Sequence, residues 1–165
     1  MALIKGGRVA DDTYVSVADD AALPNAPAII VSLKRWQAEK AALSASNAAI
    51  GVLLPSDTSP DVLKDDLTRL SLVAIAFPTF RDGRGYSWAR MLRTRLGFKG
   101  ELRAVGQVFE DQAFFMSRVG FDSFEPAEGQ DLAGFLRALH AFAHVYQPAA
   151  DKRATILEER AKRGG

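Results

Sequence analysis

The chain has 165 residues, enough for one domain with a substantial core and too few for a complete eight-fold α/β barrel of about 250 residues. Its 48% hydrophobic and 25% charged residues, with a formal net charge of +1, exclude a disordered or nucleic-acid-coating chain and single out no charged partner. Cysteine is absent, which excludes disulfides, a thiol nucleophile and thiolate ligands for zinc or iron–sulfur clusters.

The first residues, Met1 to Val9, carry Lys5 and Arg8 among few apolar side chains, and no apolar run approaches the roughly 20 residues that cross a bilayer. A cytoplasmic protein without membrane or nucleic-acid contact is the expectation. Residues 2–17 read as a small hairpin, with Ala2–Ile4 and Thr13–Val17 as strands around a turn at Gly6 and Gly7, covering a sheet edge. From residue 28 strand-like and helix-like runs alternate five times, the pattern of consecutive βα units and a mostly parallel sheet. The predicted strands are Ala28–Ser32, Ala49–Leu54, Leu72–Phe77, Leu102–Val105 and Phe121–Phe124. Their nearly continuous apolar character calls for cover on both faces.

Between them, Leu63, Leu67 and Leu70 fall at i, i+4 and i+7 behind a Ser59 cap and Pro60, which predicts a helix. Trp88, Met91, Leu92 and Leu96 form the stripe of the next, with Gly97 as its stop and Arg90, Arg93 and Arg95 on the opposite side. Another helix runs from about Phe109 to Val119 and stops at Gly120. The longest stripe, Leu132, Phe135, Leu136, Leu139, Phe142, Ala143 and Tyr146, is closed by Pro148. The expected organisation is one α/β domain over residues 1–150, with the hairpin at 1–17 and a βα core at 28–146, followed by a charged tail at 151–165. An open doubly wound sheet and a curved partial barrel both satisfy the right-handed crossover rule, and either one gathers functional groups at the carboxyl ends of the strands.

Those ends carry Lys34 and Arg35, then Ser56 and Asp57, then the loop Phe80-Arg81-Asp82-Gly83-Arg84-Gly85-Tyr86-Ser87, then Gln107, Glu110, Asp111 and Gln112, and finally Glu125. Arg81 and Arg84 offer forked, permanently charged donors. Gly83 and Gly85 permit close backbone approach beside a helix start, so a small anion is the natural ligand, with Tyr86, Ser87 and Gln112 beside it. The structural alternative is that Asp82 and Glu110 or Asp111 pair with these arginines and fasten the loops. Sharper motifs fail. Gly83-Arg84-Gly85 lacks the third glycine of a dinucleotide fingerprint, and no phosphate-cradling Gly-x-x-x-x-Gly-Lys run exists. His140 and His144 have the i, i+4 spacing of metal ligands but no Glu at 141, so edge-of-core packing is the expected role and no metal is predicted. Ser56 and Ser87 lack a nucleophile elbow, and Ser87 reads as a helix cap. Trp36 beside Lys34 reads either as core or as a stacking platform for a ring.

The segment Phe-Pro-x-Phe-Arg-Asp-Gly-Arg-Gly-Tyr-Ser at 77–87, with Gly-Glu-Leu-Arg-Ala-Val-Gly at 100–106, Asp111-Gln112 and Gly-Phe-Asp-x-Phe at 120–124, closely resembles the bacterial family catalogued as domain of unknown function 934. The resemblance extends weakly to Leu-Ile-Lys-Gly-Gly-Arg at 3–8, and the chain departs from the family pattern mainly at Gln107 and Glu110, where Asp and Arg are commoner. Members are described as oxidoreductases or accessory proteins of sulfite reduction, from genes beside those of assimilatory sulfate and sulfite reduction. Reduction of sulfite to sulfide uses an iron–sulfur and sirohaem unit, which a chain without thiolates cannot hold by itself, so the resemblance implies an accessory subunit. Its partners would be a small anion or the sulfite reductase, met by Arg81 and Arg84 with Asp111 and Gln112 orienting them; no cofactor is named. Two other expectations stand beside it. One is a small enzyme with Asp82 or Asp111 as general base; the other is a ligand-free scaffold that self-associates through the last helix and tail.

Overall fold

The computed structural model describes residues 2–163; Met1 and the Gly164-Gly165 end of the expected tail lie outside the described residues. The five core strands form within or around the predicted apolar runs, at β4 (Ala28–Ser32), β5 (Ala49–Leu54), β6 (Leu72–Phe77), β7 (Glu101–Gly106) and β8 (Ser123–Phe124), the last starting two residues later than expected. They pair in parallel and in sequential order, β4-β5-β6-β7-β8. A monotonic order of right-handed crossovers puts every connecting segment on the same face. The doubly wound option, which needs an order that reverses, is therefore excluded, and the sheet is a curled half-barrel.

The helices α1 (Leu33–Ala45), α2 (Arg84–Thr94), α3 (Glu110–Val119) and α4 (Leu132–Leu139) follow their strands. One large core lies between sheet and helices, where Val52, Val73, Ile75, Phe77, Leu102 and Ala104 face Trp36, Leu92, Met116 and Phe135. The inner face carries a smaller cluster of Ile30, Leu72 and Ala74 with Tyr14, Leu53 and Val105.

The N-terminus departs from expectation. The hairpin is made by β1 (Leu3–Lys5) and β2 (Arg8–Ala10), antiparallel to each other, with β1 antiparallel to β8. The stretch expected to be its second strand instead crosses to the opposite edge, where β3 (Val15–Ser16) joins β4 in parallel. The sheet is thus mixed, with five parallel core strands inside eight rather than five clean βα units. This crossing also explains the curl. Seven strand spacings separate β2 from β3, about 34 Å if the sheet were flat. Five residue steps from Ala10 to Val15 reach at most about 18 Å, so the edges must bend toward each other and residues 11–14 form a chord across the inner face.

Two predicted helices are corrected. Residues 60–63 form a 3-10 turn, continued by i to i+3 bonds through Arg69 and Leu70, although Ser59 caps it as expected and Leu63, Leu67 and Leu70 are buried. The longer rise per residue of this winding, about 2.0 against 1.5 Å, stretches a short crossover back along the sheet while keeping the three leucines inward. The last stripe stops being helical at Leu139: Val145 leaves the helical path to bridge Thr155 and is buried, and Phe142 and Tyr146 are left exposed. Beyond it, α5 (Ile156–Arg163) is tied to the domain through Asp151, which accepts two bonds from Arg118 at 2.6 and 2.8 Å. Among the described residues, no helix is long and apolar enough to cross a membrane.

Candidate functional site

The carboxyl ends of β5, β6 and β7 meet at one rim. Trp88 on α2 donates its indole N–H to the Ser56 carbonyl at 2.9 Å, joining the second crossover to the third. Phe80 stacks edge-on against Phe109 with centroids 5.6 Å apart, joining the β6 and β7 loops. Gln112 locks this junction: its side-chain oxygen accepts from the Phe109 N–H at 3.2 Å and its amide donates to the Phe80 carbonyl at 3.4 Å. The residue expected to orient a ligand is thus a buried strut between loops.

Within the rim, Asp82 takes the place an anion would occupy at the start of α2. One oxygen accepts from the Arg84 backbone N–H at 3.2 Å and from Nε at 2.9 Å, and the other accepts from Nη2 at 2.8 Å. Arg84 Nη2 also reaches the Ser56 hydroxyl at 3.3 Å. The Arg84 bonds, and after them the neighbouring Ser56 hydroxyl, hold the Asp82 carboxyl far below the usual carboxylate range, and the Asp82 carboxylate in turn raises the Arg84 guanidinium. A carboxylate so stabilised is a weak proton acceptor. Asp111 is exposed in the first turn of α3. Burial, and after it the Asp111 charge, push the Tyr86 phenol up. Arg81 is exposed and has no side-chain partner among the described residues.

The two glycines serve different ends. Gly83 precedes α2 with open space around it, so nothing in the fold demands glycine there. Gly85 is buried, and a Cβ there would lie 2.5 Å from the tip of the Phe77 ring; it lets α2 press onto β6. Tyr86 meets the same ring edge-on at 5.8 Å. Ser87 lies on the exposed side of α2, inside the helix, and Gly83 rather than Ser87 occupies the cap position.

Other sequence candidates disperse. Trp36 is wholly buried and donates to Asp66 at 3.0 Å, which makes it core and not a stacking platform. Arg35 turns inward to the Ala18 carbonyl and to Glu39. His140 caps α4 with its ring against Gly7, while His144 bonds Glu159 at 2.9 Å, so the end of the helix at Leu139 separates the pair. Among the described residues, no group of three or more His, Cys, Asp or Glu side chains could hold a metal ion.

The most elaborate polar cluster lies on the inner wall. Arg103 is 1% exposed, and its guanidinium donates to Asp12 at 2.7 and 3.1 Å, to Glu101 at 2.9 and 3.1 Å and to Glu125 at 3.0 Å. Tyr14 covers it with its ring 5.4 Å away and donates its hydroxyl to Ser71 at 3.1 Å. Lys5 and Ser123 each donate to Glu101 at 2.6 Å. Burial alone would raise the Asp12 and Glu101 carboxyls, but hydrogen bonds from Arg103, and for Glu101 also from Lys5 and Ser123, outweigh it and leave both lowered. The available signal was the alternation in Glu101-Leu102-Arg103-Ala104, which turns both charges to one side of a strand and both apolar residues to the other.

A search of curated proteins and a search of solved structures each returned no match. The family model described as a bacterial protein of unknown function, DUF934, matches residues 51–157, a span that covers the second βα unit through the start of α5 and contains the whole rim. The chain therefore belongs to the DUF934 family of bacterial proteins.

Proposed function

We propose that this chain is an accessory protein of assimilatory sulfite and sulfate reduction, which meets an anionic group, either a small oxyanion or an acidic surface of the sulfite reductase, at the carboxyl-end rim. The pathway comes from the resemblance. The supporting observation is the contrast between neighbouring arginines: Arg84 is neutralised by Asp82, while Arg81 keeps an exposed, unpaired guanidinium beside Phe80, itself 52% exposed. A free guanidinium next to an exposed aromatic ring suits a carboxylate or sulfur oxyanion presented from outside.

A strain lacking the gene is expected to fail on sulfate or sulfite as sole sulfur source and to recover with cysteine. Complementation with Arg81→Ala should fail, while Arg84→Ala should restore growth. Normal growth of the deletion strain on both sulfur sources would sink the proposal. A second reading, a small enzyme, draws on Asp111: it is exposed in the first turn of α3, whereas Asp82 is engaged by Arg84 through both carboxylate oxygens. Loss of a bell-shaped activity profile in Asp111→Asn, with retained folding, would favour it.

A further inference from the structure

The mouth of the half-barrel above β4, β5 and β6 contains a cavity of about 450 Å³ that the Arg81 loop does not line. Leu53 and Ala76, the inner-facing residues nearest the carboxyl ends of β5 and β6, and Pro55 supply apolar surface. This is where ligands of parallel α/β sheets bind, and the volume lies in the lower half of the range of ligand pockets, ample for a small metabolite.

Two opposite charges open onto this cavity, Asp19 and Lys34. Asp19 is held in place by Ser32, whose hydroxyl donates to it at 2.6 Å while the same oxygen accepts the Arg35 N–H at 3.0 Å and caps α1. Among the described residues, Asp19 and Lys34 form no ion pair with each other or with any other side chain. A simple anion drawn to Lys34 would be opposed by Asp19, and a simple cation drawn to Asp19 would be opposed by Lys34. A molecule carrying both charges satisfies both.

We propose that this cavity binds a small zwitterion of the α-amino-acid class. Its carboxylate pairs with the Lys34 ammonium and its own ammonium pairs with the Asp19 carboxylate. A short side chain lies on Leu53, Ala76 and Pro55, and the Gln37 amide at the cavity wall serves a polar tip. No residue of the Arg81 loop takes part, so the site stands apart from the rim reading.

Titration calorimetry on the full chain with L-alanine, L-serine, L-cysteine and L-valine tests this. At least one is expected to bind with a millimolar or tighter Kd. Its single-charge analogues, such as propionate and ethylamine for alanine, should bind about tenfold or more weakly, the loss of one charge-assisted hydrogen bond. Asp19→Asn, which keeps an acceptor for Ser32, and Lys34→Met should each weaken binding by about the same factor at an unchanged urea midpoint. Arg81→Ala should leave the titration unaltered, so failure here and failure of the growth experiment are read separately. The proposal is overturned if none of the four amino acids binds at millimolar concentration, if propionate binds as tightly as alanine, or if both charge variants bind like the original chain.

Discussion

Arg84 on the rim and Arg103 on the inner wall both sit among carboxylates, yet they hold the molecule in different ways. The Arg84 side chain is 53% exposed and serves one carboxylate two residues away, with a longer bond to the Ser56 hydroxyl of the neighbouring loop, so its clamp sits at the open rim. Arg103 is buried, binds three carboxylates from three separate segments, and joins the chord to β7 and to the chain following β8. Solvent screens the first network and competes for its donors; the second is shielded, so each missing partner leaves a charge in a poorly solvated place. Arginine density in the sequence marks the first, whereas the consequential arginine stands alone in a strand.

The strongest test of this contrast is Arg103→Met, which takes the shared guanidinium from three carboxylates and leaves Glu101 only Lys5 and Ser123. It is expected to cost about 3–5 kcal/mol in urea unfolding, and a loss within the scatter of surface substitutions would break the comparison. Asp12→Asn should cost about 1–3 kcal/mol at neutral pH. Because Asp12 and Glu101 are held below their ordinary values of 3.8 and 4.5, the folded state binds these protons more weakly than the unfolded chain. Their stabilisation is complete above about pH 4.5 and is lost as pH falls through the lowered folded values. The gap between the original chain and Asp12→Asn should therefore close below pH 3.8; a gap constant from neutral to acid would contradict the assignment.

Gly85→Ala addresses the rim from the packing side. Its Cβ would strike a Phe77 ring already set between Tyr86 and Phe121, and a loss of about 1–3 kcal/mol is expected, while Gly83→Ala in open space should be near neutral. Equal effects at the two glycines would mean that both serve the loop rather than the core. The smallest effect is expected for Arg84→Ala: no measurable shift of the urea midpoint, at low or high salt. A clear destabilisation there would put the rim clamp on the same footing as the inner network.

Where a residue's fate depends on near neighbours, the sequence was readable. Four of the five core strands begin and end within a residue of their expected limits, and Gly120 ends α3 in the left-handed conformation with φ of 113° as its position implied. The carboxyl-end rim also assembled where βα alternation placed it, with Ser56, Asp82 and Arg84 in one cluster. Distant contacts overrode local pattern elsewhere. The apolar stripe through Phe142 and Tyr146 favours a helix, but burial of Val145 against Thr155 drew the chain away, leaving Tyr146 80% exposed. Gln112 reads as a polar group free to face a ligand, and only the nearness of Phe80, 32 residues away, turns it into a strut.

Strand extent, helix stops and the side to which Glu101 and Arg103 point follow from backbone sterics and period-two alternation, which operate within a few residues and are written in the order of amino acids. The curl of the sheet, the chord that crosses it and the partner of every charge do not. Asp12 and Arg103 are 91 residues apart, and nothing in either neighbourhood selects the other. Their pairing exists because sequential strand order placed all helices on one side, exposed an inner face, and left residues 11–14 only enough length to close it by bending the sheet.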